Sequence, residues 1–405
     1  MPLTHLEPGS DFVGCDAPGV PYVQSGTSSL YGIAVDLGTT SVSLALVRFA
    51  GDGAPQVLAS AEARNAQAAE YGRDILSRLS AAQAGQGLQL RDLAQAQVLE
   101  LVAEVARQAK LELSELGAKT KQVVIAGNSA MAALFVGADV NSLATAPFVP
   151  VRPLPCDSGP LAELIGPERI TVLEPLDAFI GGDVRADLIT ASLTAGSDKP
   201  RLLIDFGTNV EIVIAQGLRL FMCSAPAGPA FEGGGFRLRG SEILADVADL
   251  LRQDVLGTDG KLTDGDSRVK RDQNGVANVF GARSGQAISQ RFIRDLQLAK
   301  AATSTALRRL LTAADLQPED VVRVDIAGAF GSALTTADLA ILGLIPKTWQ
   351  DRTHALGNAS LAGALAVLGG ASPELDPGVA LCPVALPIDP VFNTELIAAT
   401  DFSWR

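Results

Sequence analysis

Histidine is almost absent from this chain: His5 and His354 are the only two in 405 residues. Imidazole-based metal sites and Ser-His-Asp catalysis are therefore poorly supplied. The four cysteines, Cys15, Cys156, Cys223 and Cys382, stand singly, without a Cys-x2-Cys pair or a zinc or iron–sulfur spacing. They read as reduced thiols acting as small core residues. No apolar run reaches the length of a bilayer span, and the N-terminus carries neither the basic segment nor the apolar stretch of a secretory signal. A soluble, cytoplasmic protein with no membrane role is expected. Basic side chains are also scarce, 32 against 45 acidic ones for a net charge of -13, which argues against nucleic acid and anionic membranes as partners. The chemistry left to such a chain uses carboxylates, hydroxyls, backbone amides and a bound cofactor.

What is present is a large apolar inventory, 47% of residues with only 19% charged, which excludes general disorder. The length suits two domains, or one fold built from two similar halves. Residues 1–29 are rich in Gly, Pro and Ser and read as a linker-like lead-in. From Tyr31 an apolar strand runs into Asp36-Leu37-Gly38-Thr39-Thr40-Ser41 and returns as a second strand, Val42–Val47. Helices are expected over Tyr71–Ala82 and Leu90–Leu111, and a strand over Gln122–Ala126 leads through Gly127-Asn128-Ser129 into a helix. A further helix is expected over Val184–Leu193. The opening then repeats: Leu202–Asp205, Phe206-Gly207-Thr208-Asn209 and Val210–Ile214 give the same strand, Asp-x-Gly-Thr turn and strand. A Gly-Asp-rich surface stretch over Gly257–Asn278, a helix over Ile288–Leu311 and a strand over Val321–Ala327 complete the second half, which ends in Gly328-Ala329-Phe330-Gly331.

Each Asp-x-Gly-Thr turn sets a carboxylate beside small residues whose amides and hydroxyls can wrap a phosphate, while the acid holds magnesium through water. One such turn is also an ordinary hairpin tip. Two acid-tipped hairpins in one chain point instead to a triphosphate with Mg2+, held in a cleft between two similar lobes. Glu211, two residues past the second turn, either borders that cleft or is a solvated strand residue. Gly328, Ala329, Phe330 and Gly331 permit close backbone approach to a flat ligand such as adenosine, or serve packing.

The order of these motifs resembles the actin, hexokinase and heat-shock-chaperone ATPase superfamily, in which they are phosphate 1, phosphate 2 and adenosine. The resemblance implies an α/β fold of two similar ribonuclease-H-like lobes, here 30–194 and 195–405, with connecting helices near Gly181-Gly182-Asp183 and Gly357-Asn358-Ala359-Ser360. A closer likeness rests on Tyr71-Gly72-Arg73-Asp74-Ile75-Leu76-Ser77-Arg78, Gly127-Asn128-Ser129, Gly181-Gly182-Asp183, Asp205–Asn209, Cys223–Gly233 and Gln297-Leu298-Ala299-Lys300. These strings resemble the ATPase region of reductive activators of corrinoid proteins. That family uses ATP to help return an inactive cob(II)alamin on a partner, a corrinoid protein or cobalamin-dependent methyltransferase, to the cob(I)amide form. Its electrons come through an N-terminal [2Fe-2S] ferredoxin domain, and the Cys-x4-Cys-x2-Cys spacing of that domain is missing here. No iron–sulfur cluster is therefore expected in this chain. It reads as a truncated form, as an ATPase served by a separate electron donor, or as a relative with another task.

The resemblance implies ATP and Mg2+ as cofactors. Gly38, Thr39, Thr40, Gly207, Thr208 and Asn209 would hold the phosphates, and Asp36 and Asp205 the metal and its waters. Asp183 is the candidate for orienting the attacking water, or else a helix cap. The loop from Ser224 to Gly235 carries Phe231 and Glu232, candidates for contact with the partner unless the loop lines the nucleotide site. Homodimers are a further expectation. A small-molecule kinase of the same fold and a chaperone-like nucleotide switch are the rival readings.

Overall fold

The structure is a computed structural model that describes residues 30–49, 55–232, 240–328, 334–386 and 390–404. The linker-like segment 1–29 lies outside the described residues. By internal contacts the chain divides into two compact units: residues up to Asp183 with Leu361–Ser372, and Val184–Ser360 with residues 373–405. Two of the three divisions fall inside the helices Gly182–Thr190 and Ala359–Leu368, and the third follows Ser372.

The first unit is built on a five-stranded sheet. Strands β1 (Leu30–Leu37), β2 (Ser41–Phe49) and β3 (Gln56–Arg64) form an antiparallel meander, and β4 (Thr120–Gly127) and β5 (Ile170–Val172) add in parallel, giving the order β3-β2-β1-β4-β5. The central β1 is buried without interruption from Tyr31 to Val35, which is why its sequence is continuously apolar rather than alternating. A parallel partner demands a crossover, and the helix Gly87–Gln108 lies between β3 and β4, burying Leu90, Ala94, Val98, Leu101, Val102 and Val105 at helical spacing. The expected helix over Tyr71–Ala82 begins only at Ile75. Gly72 has a φ of +96° and Asp74 caps the helix, accepting from the Ser77 N–H at 2.9 Å, so the preceding four residues form a fixed loop.

The second unit repeats the plan. Strands β6 (Ser197–Phe206), β7 (Asn209–Gly217) and β8 (Arg219–Pro226) form the meander. The expected surface stretch over Gly257–Asn278 contributes to a small separate sheet of β9 (Val269–Arg271), β10 (Ala277–Phe280) and β11 (Ala287–Ser289). Then β12 (Arg323–Gly328) and β13 (Thr353–Gly357) pair in parallel beside β6, and β14 (Ala380–Pro383) runs parallel to β8. The resulting order, β13-β12-β6-β7-β8-β14, is the order of the first sheet with one strand added at an edge. The helices Gly240–Arg252 and Gln290–Ala313 supply the apolar side chains that cover it, among them Ile243, Val247, Phe292, Leu296, Leu307 and Leu310. The fold is α/β with the duplicated sheet of the actin-like ATPases. No helix among the described residues is long and apolar enough to cross a membrane.

Candidate functional site

In the first unit, Asp36 is half-buried near the end of β1, in register with Ser43 on β2 and Ala126 on β4. The chain then turns through Gly38, Thr39 and Thr40. A methyl group at Gly38 would stand 2.7 Å from the Ser41 carbonyl oxygen, so only glycine allows the turn to close this tightly. Each of the three turn carbonyls is held: Asn65 Nδ2 donates to Gly38 O at 2.8 Å, Arg78 Nη2 to Thr39 O at 2.8 Å, and the Asn65 N–H to Thr40 O at 2.8 Å. In a trans peptide the C=O and the following N–H point in opposite directions. Drawing the carbonyls of Gly38 and Thr39 inward therefore turns the N–H groups of Thr39 and Thr40 outward, as an anion-binding concavity requires.

The Thr39 hydroxyl is oriented as well. Asn128 accepts from the Met131 N–H through Oδ1 at 2.9 Å, which fixes its amide orientation, and its Nδ2 donates to Thr39 Oγ1 at 3.0 Å. With a lone pair so occupied, the hydroxyl can direct its own proton to a phosphate oxygen. Asp183 belongs to the same neighbourhood. A methyl at Gly181 would lie 2.4 Å from Asn128 Cα and 2.6 Å from Asp183 Oδ1, so the Gly-Gly-Asp string lets the helix Gly182–Thr190 start directly against Asn128. Within this unit the structure thus assembles Asp36, Gly38, Thr39, Thr40 and Asp183 around Asn65, Arg78 and Asn128, residues from three other segments.

In the second unit Asp205 is the residue before the last of β6, in register with Glu211 on β7 and with Ala327 on β12. The turn closes through the Gly207 N–H, which donates to Asn209 O at 2.9 Å. Cross-strand partners project from the same face, so Asp205 and Glu211 are neighbouring carboxylates, an arrangement that suits a cation. Glu211 is half-buried and accepts from Ser224 Oγ at 2.9 Å, so it is not a solvated strand residue. Gly328 has a φ of +87°, and a methyl there would stand 2.3 Å from Asp205 Oδ1 and 2.4 Å from Phe206 O. The third motif therefore begins in contact with the second. Ala329, Phe330 and Gly331 lie outside the described residues, as does the Glu232 side chain.

Phe231 corrects an expectation. It is fully buried, its ring 5.3 Å edge-on from Phe206 in the core of the second unit, and offers no surface to a partner; the short 3-10 turn Gly228–Glu232 folds the ring inward. Cys156 and Cys223 are core thiols, pushed up by burial to about 11 and about 12, which keeps them protonated at neutral pH. The residues that sequence reasoning missed are Asn65, Arg78 and Asn128. Arg78 and Asn128 lay inside family-like strings, but Asn65 carried no signal.

The first turn offers outward amides, an oriented hydroxyl and a glycine where a side chain would collide, and the second a pair of neighbouring carboxylates, groups of the kind that bind phosphate and magnesium. Residues 31–195 match the family described as RACo middle region, and residues 199–238 and 236–373 the one described as the C-terminal domain of RACo, the ASKHA domain. The chain is 28% identical over 397 residues to the corrinoid activation enzyme RamQ of Eubacterium limosum, covering 83% of this chain and 63% of the relative. It is 24% identical over 324 residues to the Co(II) methylated amine-specific corrinoid protein reductase of Methanosarcina barkeri, covering 67% and 59%. A solved reductive activator for corrinoid, iron–sulfur protein matches with a TM-score of 0.80 at 25% identity over 93% of this chain and 67% of that one. The chain spans less than two thirds of the length of the two curated relatives.

Proposed function

The chain is a RACo middle region followed by a RACo C-terminal ASKHA domain, and from that premise we propose that it is the ATP-binding and ATP-hydrolysing part of a reductive activator of a corrinoid protein. The observation that carries the ATP reading is the repetition, in two sheets of the same strand order, of a strand-end carboxylate followed by a Gly-Thr turn. The partner class rests on the relatives, two of which are named for acting on corrinoid proteins.

In this reading Gly38, Thr39, Thr40, Gly207, Thr208 and Asn209 bind the phosphates through amides and hydroxyls, and Asp36 and Asp205 order Mg2+ and its waters. Gly328, with Ala329, Phe330 and Gly331, admits the adenosine. Asp183, at the start of its helix, orients the attacking water. When bound, Mg-ATP supplies the free energy of hydrolysis. The electron that takes the partner's cobalt from Co(II) to Co(I) comes from a one-electron iron–sulfur donor, carried on a further domain or on a separate protein.

The test is ATP turnover with and without a purified corrinoid protein in the cob(II)amide state. Stimulated phosphate release with no phosphorylated acceptor is expected, and Asp205→Asn should lower it by roughly 100-fold or more, the scale on which loss of one preorganised charge-stabilising group acts. A phosphorylated small molecule would replace this reading with that of a kinase.

A further inference from the structure

Arg78 is completely buried, yet the groups that accept its hydrogen bonds are all neutral. Nη2 donates to Thr39 O at 2.8 Å, Nε to Gly72 O at 3.2 Å, and Nη1 to Gln67 Oε1 at 3.4 Å and Met131 Sδ at 3.0 Å. A charge removed from water is expensive unless an opposite charge compensates it. Asp74 is the acid whose charge supports it, but that carboxylate is engaged with Ser77, at 2.9 Å from its N–H and 2.7 Å from its Oγ. Burial lowers the guanidinium to about 10, so it stays charged at neutral pH. The surroundings are built to hold it there. Gly72 takes its left-handed φ, Asp74 starts the helix, and one turn later Arg78 reaches both Gly72 O and the turn beneath the first motif.

We propose that Arg78 is a positioning residue for the first Asp-x-Gly-Thr turn, its buried guanidinium fixing the Thr39 carbonyl and setting a positive charge, hydrogen-bonded to no carboxylate, behind the amides that receive a phosphate. This rests on the nucleotide reading above and adds to it a residue that need not touch the ligand. The bond to Thr39 O turns the Thr40 N–H outward, and a phosphate there adds negative charge to the partial compensation that Asp74 gives the guanidinium. The same logic explains the Tyr71–Arg78 string: its glycine, cap and arginine are the parts of one support.

The experiment compares wild type, Arg78→Met and Arg78→Lys by calorimetric titration with Mg-ATP and Mg-ADP, with near-ultraviolet circular dichroism as the check on folding. Arg78→Met keeps the length and loses the charge. It should bind Mg-ATP at least about tenfold more weakly, with the ATP-to-ADP affinity ratio falling, because the loss grows with phosphate charge. Arg78→Lys keeps the charge and one donor and should recover a large part of that loss. Unchanged affinity in folded Arg78→Met, equal losses for both nucleotides, a lysine no better than methionine, or failure of both variants to fold would each overturn the proposal, the last by making Arg78 a residue of the core alone. If wild type itself binds no Mg-ATP, the nucleotide reading falls first and this proposal with it.

Discussion

Gly328 shows how much a single atom can decide. Its φ of +87° is strained for any residue with a side chain, and the added methyl would sit 2.3 Å from Asp205 Oδ1. Gly328→Ala should therefore displace the carboxylate proposed to order the metal, and Mg-ATP affinity by calorimetry should fall at least about tenfold, while the variant, with its strain at one strand end, stays folded. Wild-type affinity in a folded Gly328→Ala protein would separate this glycine from the nucleotide. Asp36, Asp205 and their glycines were readable as residues because each motif is contiguous. The support of the first turn was not: Asn65, Arg78 and Asn128 reach Gly38 and Thr39 from 27, 39 and 89 positions away, and no local pattern encodes contacts of that range.

At the scale of elements, strands with unbroken β-branched and aliphatic runs, such as β1 and β6, were legible, whereas β3 was not, since Gln56–Arg64 alternates weakly and is rich in alanine. Helix ends were the next source of error, set by capping side chains rather than by apolar spacing. The capping box of the helix Thr336–Ile341, with Thr335 as N-cap and Asp338 as its reciprocal partner, shows such capping in full; it turns on Asp338. It is buried, accepts from the N–H and Oγ1 of Thr335 at 2.8 Å each, and pairs with Arg252, joining the helices Gly240–Arg252 and Thr336–Ile341. Burial pushes its carboxyl up, but the hydrogen bonds from Thr335 and Arg252 together outweigh this and leave it below the usual carboxylate value. A group lowered on folding contributes stability above its unfolded value, near pH 4, and loses that contribution as pH falls through the folded value. Asp338→Asn should cost about 1–3 kcal/mol in urea unfolding at pH 7, and the gap to wild type should narrow as the pH drops below about 4. A gap independent of pH would show that the carboxylate charge is not what the cap uses.

For the whole molecule, the duplicated strand order was legible from the repeated Asp-x-Gly-Thr hairpin, because each copy of the motif brings its meander with it. The position of Phe231 was not, since a Pro-Gly-rich stretch gives no sign of which way its aromatic ring will fold. The net charge of -13 sets a further condition: an acidic partner must dock against net repulsion unless it presents a basic face. On the proposed function, nucleotide and corrinoid protein are both bound by this one chain. Calorimetric titration of Mg-ATP into the protein, alone and with a cob(II)amide-loaded corrinoid protein, tests this directly. ATP should bind with an affinity that differs between the two titrations, since coupling between two sites must appear in both affinities. ATP binding that the corrinoid protein leaves unchanged would contradict it.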